Sequence, residues 1–163
     1  MSAPSPESVV RQLIARGLTV AAAESLTGGL VCAALTSVPG SSAVVRGGVV
    51  VYATELKALL AGVPEPVLAA SGPVAASTAQ AMASGVRIRL GADVGLATTG
   101  VAGPDPQDGH PPGTVHVAVA TAAGGLSVRS FTGGTALPGG REAVRAATVD
   151  AVLTLLSGVL SEV

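Results

Sequence analysis

Residues 21–30 read Ala21-Ala22-Ala23-Glu24-Ser25-Leu26-Thr27-Gly28-Gly29-Leu30. An apolar run stops at Glu-Ser, continues through Thr-Gly-Gly, and gives way to a second apolar run of helical character. This pattern predicts a strand, a sharp turn and the start of a helix. The hydroxyl of Ser25 then stands at the open end of the strand, beside backbone N–H groups of the turn. We interpret Ser25 as a candidate nucleophile and the turn as a candidate oxyanion or phosphate cradle.

The elements on either side of this stretch alternate between helix and strand. A helix begins at Pro6, capped by Ser5, and closes at Gly17. The last two strands form a hairpin, so the sheet is mixed rather than all parallel. We therefore predict one domain over residues 1–163, a three-layer α/β/α sandwich. Strands are predicted over residues 18–23, 44–52, 93–99, 114–121 and 126–132, and further helices over 28–38, 55–60, 74–90 and 141–160.

Composition excludes several classes of protein. Of the 163 residues 48 % are hydrophobic, yet no segment has the length and bulk of a membrane span, and the N-terminus has no signal-peptide pattern. The lone Cys32 excludes an internal disulfide and fits a reducing, cytoplasmic compartment. The net charge of −1 and the lack of a basic block argue against nucleic acid. We expect a small-molecule ligand, with no membrane partner.

A serine nucleophile needs a base, and the two histidines are the usual choice. His116 lies on the less bulky face of a strand, where a structural role is the commoner outcome. His110 lies in the Gly- and Pro-rich loop over residues 100–113, where a fixed geometry is hard to hold. A Ser-His-Asp triad is therefore possible but not indicated.

Lys57 is the alternative base. It is the only lysine, whereas the other eight basic residues are arginines. A lysine can lose its proton when burial lowers its pKa, and an arginine cannot. Ser-Lys pairs are an established nucleophile and base. An exposed lysine paired with Glu55 explains the residue equally well, so both interpretations stay open at this point.

Other polar residues are candidates for substrate contacts. Tyr52 ends a strand and could relay a proton, stack on a ring or fill space. Ser42 follows a helix stop, and Thr99 ends a strand as Ser25 does. Arg141 begins the last helix, where a cation opposes the helix dipole and so suits an anion such as phosphate; an ordinary surface arginine is the alternative. No metal-ligand spacing and no phosphate-binding glycine motif occurs, so no cofactor is expected.

Seven segments together resemble the CinA C-terminal domain family, whose enzymatic members are nicotinamide-nucleotide amidases. They follow the order of that family over nearly the whole chain. Two positions depart from it: Leu26 replaces a frequent cysteine, and Thr54-Glu55-Leu56 replaces a frequent Asn-Glu-Ala. The matching segments are residues 23–29, 39–42, 46–53, 55–63, 99–105, 112–115 and 141–145.

The resemblance implies an enzyme that hydrolyses the carboxamide of nicotinamide mononucleotide to nicotinate mononucleotide and ammonia, within pyridine nucleotide recycling. It implies Ser25 as nucleophile and Lys57 as base, and it implies that the Tyr52 hydroxyl belongs to the site, where we expect it to relay a proton. It also implies that this is the stand-alone form, without the larger N-terminal module of other members, and we expect a homodimer. The substrate-binding residues expected are Thr27, Gly28, Gly29, Ser42, Thr99, Gly100 and Arg141, the first three as oxyanion donors.

Three other functions remain open from the sequence. One is a non-catalytic nucleotide-binding module of the CinA type, linked to competence or to the response to DNA damage. The second is a Ser-Lys hydrolase that acts on a different amide. The third is an interaction protein, for which the lack of a basic block argues against direct binding to DNA.

Overall fold

The computed structural model describes residues 2–163. Five strands and six α-helices follow one another along the chain, with two short 3₁₀ turns at Ser41–Ala43 and Gly133–Thr135. The strands are β1 (Val20–Glu24), β2 (Val45–Val50), β3 (Val94–Gly100), β4 (Val115–Thr121) and β5 (Leu126–Phe131). The helices are α1 (Pro6–Arg16), α2 (Leu30–Thr36), α3 (Thr54–Leu59), α4 (Glu65–Ser71), α5 (Ala76–Arg89) and α6 (Arg141–Ser161).

The strands form one mixed sheet in the order β2-β1-β3-β4-β5. The first three strands in this order are parallel, and β4 and β5 join antiparallel. The register between β1 and β2 shifts at Val20, which pairs with Val45 while Ala21 pairs with Gly47. The mixed α/β class predicted from the sequence is confirmed.

Helices cover both faces of the sheet, which gives the three layers. One apolar cluster joins side chains of β1, β3 and β4 to α1, α2 and α6, and the other joins the opposite faces of these strands to α5. The second cluster is rich in alanine, and α5 lies directly on β3. A Cβ added at Gly95 of β3 would collide with the carbonyl oxygen of Ala83 in α5. Small residues therefore set how closely this helix approaches the sheet.

The last helix, α6, is long and apolar enough to cross a membrane by length and composition alone. In the fold it packs against β3, β4 and α1. Its buried side chains include Val144, Val152, Leu153 and Leu156, which belong to the larger apolar cluster. Helix α6 is thus a core helix of this α/β domain.

Several predicted boundaries were wrong for identifiable reasons. Leu18 belongs to the end of α1, because its amide donates to the carbonyl of Leu13, so β1 begins at Val20 and extends to Glu24. Helix α2 begins at Leu30 rather than residue 28, since Gly28 and Gly29 adopt φ values of 56° and 111°. Helix α3 spans Thr54–Leu59 rather than residues 55–60, and its capping position, Ala53, makes no side-chain hydrogen bond.

Candidate active site

The turn after β1 holds Ser25 at the carboxyl end of a central strand. The amide of Ser25 donates to the carbonyl of Thr98 across 3.0 Å, which ties the turn to β3. The Gly28 amide donates to the Ser25 carbonyl across 3.0 Å and closes a tight turn. That turn requires Gly28 at φ 56°, a left-handed conformation that glycine adopts without strain. Ser25 is 7 % exposed, so its hydroxyl is accessible only from one side.

Lys57 of α3 approaches Ser25 from the neighbouring layer. Its Nζ donates to Ser25 Oγ across 3.0 Å and to the carbonyl of Val51 across 2.8 Å. A third, longer contact of 3.4 Å joins Nζ to the carbonyl of Tyr52. The Lys57 side chain is 1 % exposed. The structure therefore brings together the two residues that the sequence had singled out for nucleophile and base.

Burial changes the acidity of Lys57. Loss of hydration lowers its pKa from 10.5 to about 8, and the nearby Glu55 carboxylate opposes this only in part. A pKa of that size leaves a usable fraction of neutral amine near physiological pH. The pair has the geometry and the protonation chemistry that nucleophilic catalysis by serine requires.

A buried carboxylate supports the same turn. Glu24, the last residue of β1, is 1 % exposed. Its Oε1 accepts hydrogen bonds from the amides of Gly29 (3.1 Å) and Val31 (2.8 Å), and its Oε2 accepts one from Cys32 (3.0 Å). These amides belong to the first turn of α2, whose partial positive charge stabilises a carboxylate.

This carboxylate corrects the predicted oxyanion cradle. The amide of Gly29 is bound to Glu24, and the amide of Gly28 is bound to the carbonyl of Ser25. Neither glycine amide is available to a substrate oxyanion, because Glu24 itself fills the anion position at the start of α2. Of the three predicted donors only Thr27 keeps a backbone N–H without an acceptor within residues 2–163.

A cavity of about 310 Å³ opens beside the Ser25 hydroxyl. It contains six of the residues predicted for the site and leaves out four, namely Thr27, Gly28, Gly29 and Ser42. The Gly- and Pro-rich loop after β3 forms one wall. The lining residues that bear on the chemistry are Ser25, Tyr52, Lys57, Thr99, Gly100, Asp105 and Arg141.

Arg141 and Tyr52 meet at the mouth of the cavity. One Nη of Arg141 donates to the carbonyl of Gly103 across 2.7 Å, and the other lies 3.2 Å from the Tyr52 hydroxyl. Tyr52 is 60 % exposed. Its hydroxyl therefore faces Arg141, and only its backbone carbonyl reaches Lys57. The predicted proton relay through the Tyr52 phenol has no such contact among the described residues.

Two other predicted contacts differ from expectation. Thr99 lines the cavity, but its hydroxyl donates a hydrogen bond to the carbonyl of Pro73 across 2.6 Å. Ser42 is exposed in the 3₁₀ turn that leads into β2. Because β2 runs parallel to β1, Ser42 lies at the opposite edge of the sheet from Ser25. Ser42 precedes its strand and Ser25 follows its strand, so the length of the strands separates the two serines.

Both histidines lie outside the cavity. His116 of β4 is 7 % exposed, and its Nδ1 lies 2.7 Å from Ser130 Oγ on β5. Burial lowers the pKa of His116, with a further contribution from His110. The structural interpretation of His116 fits this placement, and neither histidine has a described contact with Ser25. Within residues 2–163 no group of three or more His, Cys, Asp or Glu side chains forms a metal site.

A comparison with protein-family models identifies the family of this chain. A model of the CinA C-terminal domain matches residues 3–160. This chain belongs to the CinA C-terminal domain family. The resemblance seen in seven sequence segments is thus confirmed at the level of the family.

Curated relatives of this CinA domain are longer proteins. A CinA-like protein of Frankia casuarinae is 50 % identical over 153 residues, which cover 94 % of this chain and 34 % of the relative. A protein of Geobacillus kaustophilus with the name putative competence-damage inducible protein is 45 % identical over 139 residues, covering 85 % and 33 %. The chain therefore spans about a third of the length of these relatives.

Solved structures of CinA proteins share the whole fold. A CinA-superfamily protein of Klebsiella pneumoniae superposes with a TM-score of 0.90 at 33 % identity, over 97 % of this chain and 96 % of that one. The competence/damage-inducible protein CihA of Agrobacterium tumefaciens gives 0.86 at 36 % identity, over 99 % and 98 %. The mixed five-stranded sheet is thus the fold of the superfamily.

Two residues of this CinA domain were missed by the sequence analysis. Glu24 binds the start of α2, and Arg145 of α6 donates from Nε to the carbonyl of Leu26 across 3.0 Å. A signal existed for each. A carboxylate that ends an apolar strand needs a buried partner, and Arg145 lies one helical turn after Arg141 on the same face of α6.

Proposed function

We propose that this CinA domain is an amidohydrolase that converts nicotinamide mononucleotide to nicotinate mononucleotide and ammonia. One observation carries the proposal: Lys57 Nζ lies 3.0 Å from Ser25 Oγ inside a cavity, and burial lowers the pKa of Lys57 to about 8. A buried lysine beside a serine hydroxyl is the arrangement of a Ser-Lys nucleophile and base.

The first half of the reaction acylates the serine. Neutral Lys57 takes the proton of Ser25 Oγ while that oxygen attacks the carboxamide carbon. The resulting tetrahedral intermediate collapses when the Lys57 ammonium gives its proton to the amide nitrogen, which leaves as ammonia. Ser25 then holds the nicotinate group as an ester.

The second half of the reaction uses the same two residues. Lys57, neutral again, takes a proton from a water molecule that attacks the ester carbon. The Lys57 ammonium then returns this proton to Ser25 Oγ, and nicotinate mononucleotide leaves. Water and the amide are consumed, and an acid and ammonia are formed.

The contacts of Lys57 suit this cycle. An ammonium group has three donors, and the structure offers three acceptors in Ser25 Oγ and the carbonyls of Val51 and Tyr52. A neutral amine has two donors and one lone pair. The two carbonyls can keep the donors, so the lone pair faces the Ser25 hydroxyl.

The rest of the cavity fits the parts of a pyridine mononucleotide. Arg141 stands at the mouth, where its guanidinium can bind the phosphate bidentately. The aromatic ring of Tyr52 lies beside it, and the carboxylate of Asp105 lines the same cavity and complements a cationic pyridinium ring. A volume of about 310 Å³ is at the small end of ligand sites, which suits a nicotinamide ring.

The deciding experiment is ammonia release from nicotinamide mononucleotide by the purified protein, with Ser25→Ala as the matched inactive variant. Release by the wild type alone supports the proposal, whereas equal release by both preparations contradicts the serine mechanism. Free nicotinamide and a second primary amide serve as comparison substrates. Faster turnover of the other amide would assign a different substrate to the same Ser-Lys pair.

A nucleotide-binding module without catalysis is the second candidate. The names of several relatives refer to competence and damage rather than to a reaction. Binding of nicotinamide mononucleotide with no ammonia release favours this candidate, and calorimetry beside the ammonia assay distinguishes the two.

A further inference from the structure

The carbonyl groups of the turn after Ser25 are held from the α6 side. Arg145 lies on α6 and is half-buried. Its Nε donates to the carbonyl of Leu26 across 3.0 Å, and its Nη2 donates to the carbonyl of Thr27 across 3.4 Å. One guanidinium group therefore fixes two successive carbonyls immediately after the nucleophile.

The amide groups of the same turn fall into two sets. Those of Gly28 and Gly29 are bound inside the protein, to the Ser25 carbonyl and to Glu24. Those of Leu26 and Thr27 have no acceptor within residues 2–163, although these residues are only 4 % and 0 % exposed. Buried backbone N–H groups without a partner are rare in folded proteins. Two of them directly beside a nucleophile therefore call for an explanation.

The bond between Arg145 and Leu26 determines where the Thr27 amide points. The carbonyl of Leu26 and the N–H of Thr27 belong to one planar trans peptide, so they point in opposite directions. Since the carbonyl faces Arg145 on α6, the N–H faces away from that helix. Val51, whose carbonyl accepts a hydrogen bond from Lys57, lies on the side of the sheet opposite α6. Leu26 lines the cavity.

We propose that Arg145 is a positioning residue, which holds the turn through the Leu26 and Thr27 carbonyls so that the free amide of Leu26, a residue that lines the cavity, serves as an oxyanion donor. This rests on the amidohydrolase function proposed above. The attack of Ser25 Oγ places negative charge on the carboxamide oxygen, and preorganised N–H donors stabilise that charge. The amide of the residue after the nucleophile plays this part in other serine hydrolases.

Arg145 differs in its contacts from Arg141, which lies one helical turn earlier on α6. Arg141 lines the cavity and can touch a substrate, whereas Arg145 does not line it and acts through the backbone. A change at Arg145 should therefore lower kcat and leave KM almost unchanged. A change at Arg141 should raise KM.

The test compares Arg145→Met and Arg145→Lys with Arg11→Met, an exposed arginine on α1. Steady-state rates of ammonia release from nicotinamide mononucleotide give kcat and KM, and thermal unfolding checks that each variant is folded. A second readout needs no amide substrate: the rate at which a fluorophosphonate modifies Ser25, where Oγ displaces fluoride from phosphorus. The phosphoryl oxygen of this probe uses the same oxyanion donors.

We expect Arg145→Met to lower kcat about 10- to 100-fold with KM within twofold, and to slow fluorophosphonate modification in proportion. Arg145→Lys keeps one hydrogen-bond donor, so its kcat should lie between those of Arg145→Met and the wild type, with the pH midpoint of the rate unchanged. The kinetics of Arg11→Met should match those of the wild type. A higher KM at constant kcat, or unchanged kinetics in both variants, overturns the positioning role. If the wild type releases no ammonia, the proposed function fails by itself. The fluorophosphonate rates then decide: slower modification in Arg145→Met supports the role, and equal rates overturn it.

Discussion

Lys57 Nζ lies 3.0 Å from Ser25 Oγ, although the two residues are 32 positions apart and belong to different elements. Ser25 follows β1 and Lys57 lies in α3, which comes after β2. Because β1 and β2 are adjacent and parallel, their carboxyl ends meet at one edge of the sheet. The segment that follows each of these two strands therefore supplies one member of the pair.

Ser25→Ala should abolish ammonia release, with a loss of at least about 10³-fold in kcat, since no other group can form the acyl-enzyme. The change removes one buried hydroxyl, so the melting temperature should shift by only a few degrees. Ser37→Ala, at an exposed serine after α2, is the matched control and should keep full activity. Undiminished turnover by Ser25→Ala would exclude a serine mechanism.

Lys57→Arg should be inactive, because a guanidinium keeps the charge but cannot accept the Ser25 proton at accessible pH. In the wild type only the neutral amine is active. The rate should therefore rise with pH and reach half its maximum near pH 8, the pKa that burial gives Lys57. A pH–rate profile of kcat/KM checks this. A midpoint below pH 7, or an active Lys57→Arg variant, would assign the base to another group.

The same pKa makes folding stability depend on pH. In the unfolded chain Lys57 titrates near 10.5, and in the folded protein near 8. Between these values the unfolded chain holds a proton that the folded protein has released, so the free energy of unfolding rises with pH in this window. Below pH 8 both states are protonated, and the cost of burying the ammonium is fully present.

Lys57→Met removes this titration. The free energy of unfolding of the variant minus that of the wild type should be largest below pH 8. It should then decrease by about 2 kcal/mol between pH 8 and pH 10. Urea unfolding at several pH values measures the difference. Parallel stability curves for the two proteins would show that Lys57 has an ordinary pKa in the folded state.

Arg141→Gln should raise KM for nicotinamide mononucleotide about 10- to 100-fold and leave kcat within a few-fold, because a charge-assisted bond to the phosphate is lost. Nicotinamide riboside lacks the phosphate and provides the comparison: its KM should not change. Equal effects on both substrates would mean that Arg141 acts through its bond to the Gly103 carbonyl instead.

Glu24→Gln should destabilise the protein by roughly 1–3 kcal/mol. The carboxylate accepts three amide bonds, whereas a glutamine must turn its NH₂ group toward at least one of these donors. We expect a melting temperature lower by roughly 3–10 °C. Glu162→Gln, at the exposed end of α6, is the control and should stay within about 1 °C. An unchanged melting temperature in Glu24→Gln would show that water satisfies these amides.

Glu24 also acts on the single thiol. Burial, aided by the charge of Glu24 and a hydrogen bond to it, raises the pKa of Cys32 to about 12. In Glu24→Gln the thiol should ionise at lower pH and react faster with iodoacetamide. This readout depends on the charge of Glu24 rather than on its shape.

The sequence predicted the order of the elements well because periodicity and turn residues are local. Buried apolar runs predicted the strands. Ser5-Pro6 and Gly17 predicted the two ends of α1. The homodimer and the chemical step remain predictions. Boundaries were wrong where individual hydrogen bonds rather than the apolar pattern decided them, as at Leu18, whose amide donates to the carbonyl of Leu13 and completes the cap of α1.

Within the site, residue type and family resemblance selected Ser25, Lys57 and Arg141, and the structure places all three on one cavity. The sequence could not tell which amides of the turn are free, since Glu24 is adjacent to Ser25 in the chain while its carboxylate turns to α2. It also placed Ser42 in the site, whereas Ser42 lies at the opposite edge of the sheet.

The sequence by itself determined the alternation of helices and strands, the α/β class, the family and the chemical groups that are available. Only the tertiary structure decided that Lys57 is buried against Ser25, which lowers its pKa, and that Arg145 and Glu24 hold opposite sides of the turn. The reason is physical. Strand and helix patterns follow from neighbours in the chain, but the hydration of a lysine and the direction of a peptide depend on residues that only packing brings near.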